Sequence, residues 1–320
     1  MHPEDSPLPL WRSMLFVPAN NERFIDSAHT RGADVIILDL EDSVPASEKP
    51  VARGMLPAAA NKVSANGADV LVRINAGWRL AVRDLEAAIS PAINSENGPA
   101  IAAIVVPKVC NGEQLSAICE VIGELELERG MDIGATALVA LVESPAALPR
   151  LEAIANATPR LQAMILGSED FSAATGMIPN GENLLFANQQ VLFAARAAGL
   201  LPLGYVGSIA EYSDRDAFKR TIVQARNMGF RGGFCIHPSQ VEAMNKGFSP
   251  SSLEVDEAHG LINAYREAVA AGRGATEFEG RMVDAPVAAR AAETLSMAQA
   301  IARKEDKPNQ VKAALAFDNQ

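Results

Sequence analysis

Short apolar runs recur along the chain, and segments with helical hydrophobic periodicity separate them. The runs that fit buried strands are residues 14–17, 35–40, 70–74, 101–106, 137–142, 161–166, 203–206 and 233–236. Several of them lack polar alternation, which is typical of parallel strands covered on both faces. The alternation of strand and helix patterns favours a parallel sheet with right-handed crossovers. Eight such units fit a closed (β/α)₈ barrel, the TIM barrel, better than an open doubly wound sheet.

A second set of patterns follows the last apolar run. Serines at its start offer helix caps, and a helix is expected from about residue 252 to 271. The segment Gly272-Arg-Gly274 breaks this pattern, and an alanine-rich helix is expected from about residue 287 to 303. Because this tail exceeds what a barrel requires, we predict a barrel over residues 1–248 and a C-terminal helical extension over residues 249–320.

Polar or conformationally special residues follow almost every apolar run. They are Pro18 and Asn20, Glu41 and Asp42, Arg73 and Asn75, Lys108, Glu143, Asp170, Tyr205 and His237. In a parallel barrel the carboxyl ends of the strands form the active-site face. Any one of these residues is equally consistent with a strand that simply reaches water. Their recurrence at the same end of eight units favours a functional face.

Composition excludes several classes of protein. The formal net charge of −11 argues against sequence-independent nucleic-acid binding, which depends on clustered Lys and Arg. Three cysteines without Cys-x-x-Cys spacing favour neither a disulfide framework nor a thiolate zinc site. No apolar stretch approaches the roughly 18 residues of a membrane span, and the N-terminus lacks the order of a signal peptide. We therefore expect a cytoplasmic protein of enzyme size.

Two acidic residues at strand ends predict a metal site. Glu143 and Asp170 each follow one of two successive apolar runs, so their carboxylates are expected at the same edge of the sheet. Mg²⁺ prefers oxygen ligands and usually takes few of them from protein. A third acidic segment, Asp39-Leu-Glu-Asp42, ends the second run. Alone it is typical of a loop that caps the next helix, but with the other two it would form an acidic basin, which is tolerable only if a cation or tightly held waters offset the repulsion.

Two further residues are candidates for chemistry. Arg73 emerges directly from an apolar run, where its guanidinium would have to meet a carboxylate, a metal ligand or substrate. Its planar fork and permanent charge suit it to hold an oxyanion. His237 fits a general base, a metal ligand or a structural hydrogen-bonding residue before a proline. Only four histidines, without a pair at helical ligand spacing, disfavour a His-rich zinc site.

Eight short motifs occur in order along nearly the whole chain. They are Leu15-Phe-Val-Pro18, Asp39-Leu-Glu-Asp-Ser-Val44, Val72-Arg-Ile-Asn75, Pro107-Lys-Val109, Val142-Glu-Ser-Pro145, Gly167-Ser-Glu-Asp170, Ile236-His-Pro-Ser-Gln240 and Met282-Val-Asp-Ala-Pro286. Together they resemble the citrate lyase β-subunit-like family of the HpcH/HpaI aldolase superfamily, which includes malyl-CoA and citramalyl-CoA lyases. This resemblance implies a TIM barrel whose C-terminal extension acts as a lid on a neighbouring subunit, in a homotrimer or a multiple of it.

The resemblance also implies a magnesium site and its ligands. By position, Glu143 and Asp170 match the family's metal ligands, and Glu41 and Asp42 match residues that support the metal's waters. Glu143 would also contact substrate.

Two catalytic residues are implied in the same way. Arg73 matches the family's substrate-binding arginine and is expected to stabilise negative charge on oxygen. Asp284, in the tail, matches the family's catalytic acid and would be donated across the subunit interface.

A coenzyme A site is implied at the start of the barrel and after its last strand. Phe16 and Arg23 fall where the family places an aromatic and a basic contact, and Ile236 with His237 match a further substrate-contact pair. The chain departs from the family at Ser27, where relatives often carry a second lysine one helical turn beyond the Arg23 position.

The implied activity is that of a Mg²⁺-dependent acyl-CoA lyase. It would cleave a 3-hydroxyacyl-CoA of the malyl, citramalyl or citryl type into a 2-oxo acid and an acyl-CoA by a retro-Claisen reaction. Three alternatives stay open. They are a malyl-CoA-type thioesterase, a metal-dependent pyruvate aldolase, and a non-catalytic subunit that binds acyl-CoA or a partner within a lyase complex.

Overall fold

The computed structural model describes residues 8–90 and 101–317. Eight parallel strands form one sheet in the order β7-β6-β5-β4-β3-β2-β1-β8. The strands are β1 (Ser13–Pro18), β2 (Val35–Asp39), β3 (Asp69–Arg73), β4 (Ala103–Val106), β5 (Ala137–Val142), β6 (Leu161–Leu166), β7 (Leu201–Leu203) and β8 (Gly233–Cys235). Seven of them match the predicted runs closely, because most residues on both faces of these strands are apolar and buried.

The two edge strands of this sheet meet and close it. The Arg231 N–H donates to the Pro202 carbonyl at 3.0 Å, and the Gly204 N–H donates to the Gly232 carbonyl at 2.8 Å. These two bonds join β7 to the segment that leads into β8, while β8 pairs with β1 on its other side. The predicted eight-stranded barrel is thereby confirmed.

The seventh strand lies earlier than predicted. The apolar run at 203–206 predicted a strand there, but β7 ends at Leu203. Gly204 has φ 139°, a conformation outside the strand region, so the backbone leaves the sheet at this point. Tyr205 and Val206 are buried in the loop that follows, which explains why the apolar pattern outlasts the strand.

Helices flank the barrel. They are α1 (Glu22–Ala28), α2 (Lys49–Val63), α3 (Trp78–Ala88), α4 (Gly112–Glu128), α5 (Leu151–Ala155), α6 (Ser168–Thr175), α7 (Gly181–Ala197), α8 (Arg215–Met228) and α9 (Pro238–Phe248), with a 3₁₀ helix at Pro145–Arg150. Asparagine side chains cap three of the helix starts, where each accepts a backbone N–H of the first turn.

Alternate strand residues face different cores. One set, which includes Met14, Ile37, Leu71, Leu141 and Ile165, packs in the barrel interior. The other set packs between the strands and the helices. Because side chains alternate with a period of two, the next inward position beyond the last interior residue of a strand lies at the carboxyl mouth.

A buried ion pair links α4 to the amino ends of β5 and β6. Glu126 is fully buried and accepts hydrogen bonds from Arg160 Nη1 at 2.9 Å, from the Gly134 N–H at 2.8 Å and from the Thr136 N–H at 2.9 Å. Burial alone raises the pKa of Glu126, but these hydrogen bonds and the Arg160 charge bring it below its ordinary value. Glu126 is therefore held as a carboxylate.

A second compact unit begins at Ser249. It contains α10 (Ser252–Ala270), the hairpin of β9 (Thr276–Phe278) and β10 (Arg281–Val283), and α11 (Ala285–Phe317). Ser251 and Glu254 form a capping box at the start of α10. Helix α11 extends well beyond the predicted segment. Within the described residues, no helix combines the length and apolar character needed to cross a lipid bilayer.

Candidate active site

The inward rows of four strands deliver side chains to the carboxyl mouth of the barrel. Phe16 follows Met14 on β1, and Asp39 follows Ile37 on β2. In the same way Arg73 follows Leu71 on β3, and Glu143 is the next inward position beyond Leu141 of β5. The two-residue period that buries the interior therefore also brings these four side chains to one place.

A cavity of about 750 Å³ opens at this mouth. The predicted site residues that line it are Phe16, Asp42, Arg73, Glu143, Asp170, Ile236 and His237. Glu41 does not line the cavity and is buried beside it. Arg23 lies on an exposed part of α1 outside the lining, so its proposed contact stays a prediction.

Asp39 holds Arg73 at two points. Arg73 Nε donates to Asp39 Oδ1 at 2.7 Å, and Arg73 Nη2 donates to Asp39 Oδ2 at 2.8 Å. Burial alone raises the pKa of Asp39, but the hydrogen bonds and the charge of Arg73 lower it below its ordinary value. Asp39 also accepts the Glu41 N–H at 2.9 Å. The guanidinium is thus fixed in one orientation before any ligand enters.

Glu41 is held between two cations. Its Oε1 accepts a bond from Lys108 Nζ at 2.8 Å, and its Oε2 lies 3.1 Å from Arg73 Nη1. Burial raises the pKa of Glu41, and both cations oppose that rise. Its Oε2 is buried yet accepts no hydrogen bond of good geometry from the described residues. This oxygen retains the capacity to accept a further donor.

Glu143 sits in a narrow slot. Its Oε2 accepts the Lys108 N–H at 2.7 Å. On the other side, a Cβ placed on Gly167 would lie 2.5 Å from Glu143 Cγ, so only glycine leaves room for the carboxylate. Burial raises the pKa of Glu143 to about 8, the charges of Asp170 and Glu41 add to the rise, and the Lys108 N–H partly offsets it. A carboxylate here is stable as an anion only beside a cation.

Asp170 lies in the first turn of α6. This helix begins after Gly167, which has no side chain to cap it, and Asp170 itself caps nothing. In the part of the chain that the structure describes, the Asp170 carboxylate makes no hydrogen bond or ion pair, although it lines the cavity. A half-buried carboxylate without a protein partner is suited to bind a cation.

The donor set fits a hard divalent cation. Glu143 and Asp170 present carboxylate oxygens to one cavity, and the buried Oε2 of Glu41 retains accepting capacity. No cluster of three or more His, Cys, Asp or Glu side chains with metal-binding geometry occurs among residues 8–90 and 101–317. Two carboxylates suffice for Mg²⁺, which keeps several waters or substrate oxygens in its coordination sphere. The residues present therefore fit magnesium better than zinc.

Aromatic rings form part of the cavity wall. The guanidinium carbon of Arg73 lies 4.7 Å from the centroid of the Phe16 ring, and Phe16 meets Phe234 edge to face at 4.9 Å. At the rim, His237 stacks on Tyr212 with ring centroids 4.7 Å apart. The cavity thus has an acidic end and an apolar wall.

The sequence alone did not identify several residues of the site as functional. In the sequence Lys108 stands out only as a polar residue after a strand, yet it hydrogen-bonds both Glu41 and Glu143. Glu169 lines the cavity and accepts the Ser208 hydroxyl at 2.6 Å. Arg31 also lines the cavity and is the exposed one of its two lining arginines. It lies four residues after Ser27 in the sequence.

Asp284 belongs to the second unit and caps a helix there. Its Oδ1 accepts the Val287 N–H at 3.2 Å, immediately before α11. Helix capping is therefore one role of Asp284 that the structure shows directly. Capping by Oδ1 and proton transfer by the carboxyl group are compatible, so its catalytic role stays a prediction.

Comparisons with known proteins agree with the motifs. Residues 12–238 match the family described as HpcH/HpaI aldolase/citrate lyase. The citrate lyase subunit beta of Leuconostoc mesenteroides subsp. cremoris is 33% identical over 294 residues, which cover 91% of this chain and 94% of that protein. The L-malyl-CoA/beta-methylmalyl-CoA lyase of Rhodobacter capsulatus is 32% identical over 87% of this chain and 92% of that protein.

A solved structure is similar over most of its length. CitE of Mycobacterium tuberculosis, in complex with magnesium, acetoacetate and coenzyme A, superposes with a TM-score of 0.68 at 29% identity. The superposition covers 90% of this chain and 97% of that chain. These likenesses confirm the resemblance that the eight motifs indicate.

Proposed function

The chain belongs to the HpcH/HpaI aldolase/citrate lyase family of carbon–carbon lyases, and on that premise we propose that it is a Mg²⁺-dependent acyl-CoA lyase. Its substrate would be a 3-hydroxyacyl-CoA of the malyl, citramalyl or citryl type. The products would be a 2-oxo acid and an acyl-CoA. The cavity carries this proposal, because it joins carboxylates suited to a divalent cation with an oriented arginine and an apolar wall.

Glu143 and Asp170 would hold the metal. Mg²⁺ bound there would supply a Lewis acid for the carboxylate and hydroxyl oxygens at one end of the substrate. Lys108 and Gly167 orient the Glu143 carboxylate, so this ligand is in place before the metal and substrate arrive.

Arg73 would act on the oxygens that gain charge. In the retro-Claisen cleavage the hydroxyl proton passes to solvent and the C3 oxygen becomes the ketone of the 2-oxo acid. The C2–C3 bond breaks, and its electron pair passes to the thioester fragment as an enolate. A guanidinium already fixed by Asp39 stabilises negative charge on oxygen without reorganising. Arg73 therefore lowers the barrier by pre-organisation.

Asp284 would exchange a proton with the acyl carbon. The enolate carbon must gain one proton to become the acyl-CoA product, and a carboxyl group can donate it. We propose that a neighbouring subunit supplies this residue, in a trimer or a multiple of it. The C-terminal extension of that neighbour would close over the site as a lid.

Coenzyme A would lie along the α1 side of the cavity. Phe16 and Phe24 line that side, as do Ser27 and Arg31, and Ile236 with His237 lines the rim. Apolar surface suits the pantetheine arm, and an arginine suits phosphate oxygens.

A panel of thioesters tests the proposal. Purified protein is incubated with Mg²⁺ and malyl-, methylmalyl-, citramalyl- or citryl-CoA, and both 2-oxo acid and free thiol are followed. Formation of 2-oxo acid without free thiol is the expected result for at least one substrate. Free thiol without 2-oxo acid would indicate a thioesterase. In a parallel incubation without thioester, cleavage of a CoA-free hydroxy-oxo acid would indicate an aldolase. Binding without turnover of any substrate would favour the non-catalytic subunit.

A further inference from the structure

Lys108 has a backbone conformation that no turn explains. Among residues 8–90 and 101–317, only Lys108 and Glu279 are non-glycine residues with positive φ, 52° and 48°. Glu279 and Gly280 form the two-residue turn between β9 and β10, a hairpin geometry that requires positive φ at both positions. Lys108 instead follows β4, whose neighbour β5 runs parallel to it. Its surroundings must therefore hold the left-handed conformation.

The conformation directs a backbone N–H at a carboxylate. The Lys108 N–H donates to Glu143 Oε2 at 2.7 Å. The next residue returns to the sheet, since the Val109 N–H donates to the Leu141 carbonyl at 3.1 Å. At the mouth, the Lys108 N–H therefore donates to the Glu143 carboxylate rather than to a carbonyl of the neighbouring strand.

The side chain of the same residue reaches a different strand end. Lys108 Nζ lies 2.8 Å from Glu41 Oε1 and 3.8 Å from Asp42 Oδ1. Glu41 follows β2 and Glu143 follows β5, so they approach from strands that are not neighbours. Within the described part of the chain, Lys108 alone hydrogen-bonds both carboxylates.

We propose that Lys108 is a positioning residue that sets the distance between Glu41 and Glu143 across the mouth of the barrel. Its backbone N–H fixes one carboxylate and its ammonium group fixes the other. The inference rests on the proposed function, in which Glu143 binds the metal and Glu41 supports the metal's waters. The two contacts use different parts of one residue, so substitutions can separate them.

Four variants separate the two contacts. Lys108→Met removes the ammonium group and keeps the chain length, whereas Lys108→Arg retains a cation. Lys108→Gly also removes the ammonium group but favours the left-handed backbone. Lys108→Val removes it and disfavours that backbone, because its Cβ is branched. Lys219→Met is a matched control, since Lys219 is an exposed lysine that pairs with Asp216 on α8.

Turnover and metal affinity should respond differently. We expect the Met and Gly variants to lose roughly tenfold or more in kcat, as for removal of groups that orient metal ligands, while calorimetric Mg²⁺ affinity stays near the wild-type value. The Val variant should lose kcat and also bind Mg²⁺ roughly tenfold more weakly. The Arg variant should recover most of the turnover. The Lys219→Met control should match wild type in both measurements.

Each contact has an outcome that would overturn it. Wild-type turnover in the Met variant would remove the ammonium contact from the proposal. Equal Mg²⁺ affinity in the Val and Gly variants would remove the backbone contact, and Lys108→Ala repeats that comparison if the Val variant does not fold. A wild-type protein that neither binds Mg²⁺ nor turns over any thioester would overturn the proposed function itself, before any variant is measured.

Discussion

Asp39 and Arg73 are register partners at the ends of neighbouring strands β2 and β3, and their side chains form a two-point ion pair. The pair is largely buried, and the Phe16 ring lies against the guanidinium of Arg73. A buried charge that loses its partner is costly, so the two residues are expected to act as one unit. The orientation of Arg73 therefore depends on a residue of another strand.

This dependence predicts coupled effects of substitution. Arg73→Lys keeps the charge but loses the planar fork, and we expect turnover to fall on the order of 10²-fold. Asp39→Asn removes half of the ion pair and should cause a loss of similar size. In a double-mutant cycle on kcat/KM, the combined variant should lose much less than the product of the two single losses. Independent, multiplying losses would contradict the shared role.

The metal ligands can be tested without substrate. We expect Glu143→Gln and Asp170→Asn each to weaken Mg²⁺ binding in calorimetry, because an amide oxygen is a poorer ligand than a carboxylate. Both variants should stay folded, since both groups lie at the mouth rather than in the interior. Glu169→Gln removes a charge from the same cavity and is the matched control, with affinity close to wild type. Equal losses in all three variants would indicate a general effect of charge rather than coordination.

Gly167 tests whether the slot around Glu143 matters. Gly167→Ala adds a Cβ that would meet Glu143 Cγ at 2.5 Å, and the carboxylate must move. The glycine has φ −82°, which alanine adopts without strain, so the fold should survive. We expect weaker Mg²⁺ binding and a loss of about 1–3 kcal/mol in the free energy of unfolding. Gly54→Ala, where the added Cβ meets no atom within 4 Å, should leave Mg²⁺ binding unchanged and, because Gly54 lies inside α2, should raise the free energy of unfolding by about 0.5–1 kcal/mol.

Asp284→Asn separates proton transfer from helix capping. Asparagine caps a helix about as well as aspartate, so this variant should keep the α11 cap and its stability. We expect it to be inactive as a homo-oligomer. Mixing it with an inactive Arg73→Ala variant under subunit exchange should restore partial activity, because some interfaces would combine an intact Arg73 with an intact Asp284. Normal turnover of the Asp284→Asn variant would leave only the capping role.

The Glu126–Arg160 pair predicts how acid affects stability. The folded-state pKa of Glu126 is below its ordinary value, so its stabilising contribution is present at neutral pH and is lost as pH falls through that lowered value. Glu126→Gln leaves the buried Arg160 charge unpaired and should cost about 3–5 kcal/mol at pH 7. In urea unfolding, the difference between wild type and variant should shrink below about pH 4. A difference independent of pH would contradict the pairing.

The sequence predicted the barrel and several of the residues that line the cavity for one physical reason. Continuous apolar runs identify strands that are buried on both faces, and the residue after such a strand lies at the mouth. This logic located Arg73 and Glu143 correctly at the cavity. It failed for β7, where Gly204 ends the strand while buried residues continue the apolar pattern.

Contacts between residues that are far apart in the sequence were harder to predict from the sequence. Nothing local indicates that Lys108 adopts a left-handed conformation or that Gly167 leaves space for Glu143. Both features depend on how close two strand ends come in the folded chain. The same holds for Asp39, whose role becomes clear only from the register of β2 against β3.

The closure of the barrel also constrains how this protein is made. Strand β1 pairs with β8, with Ser13 opposite Gly233. One edge of β1 therefore stays unpaired until β8 has been synthesised. A ribosome exposes the chain from the N-terminus at about 5–20 residues per second, and the β1 edge is therefore synthesised many seconds before its partner. Unpaired strand edges recruit other chains. Nascent chains of this protein are expected to need chaperone protection until residue 235 has left the ribosome.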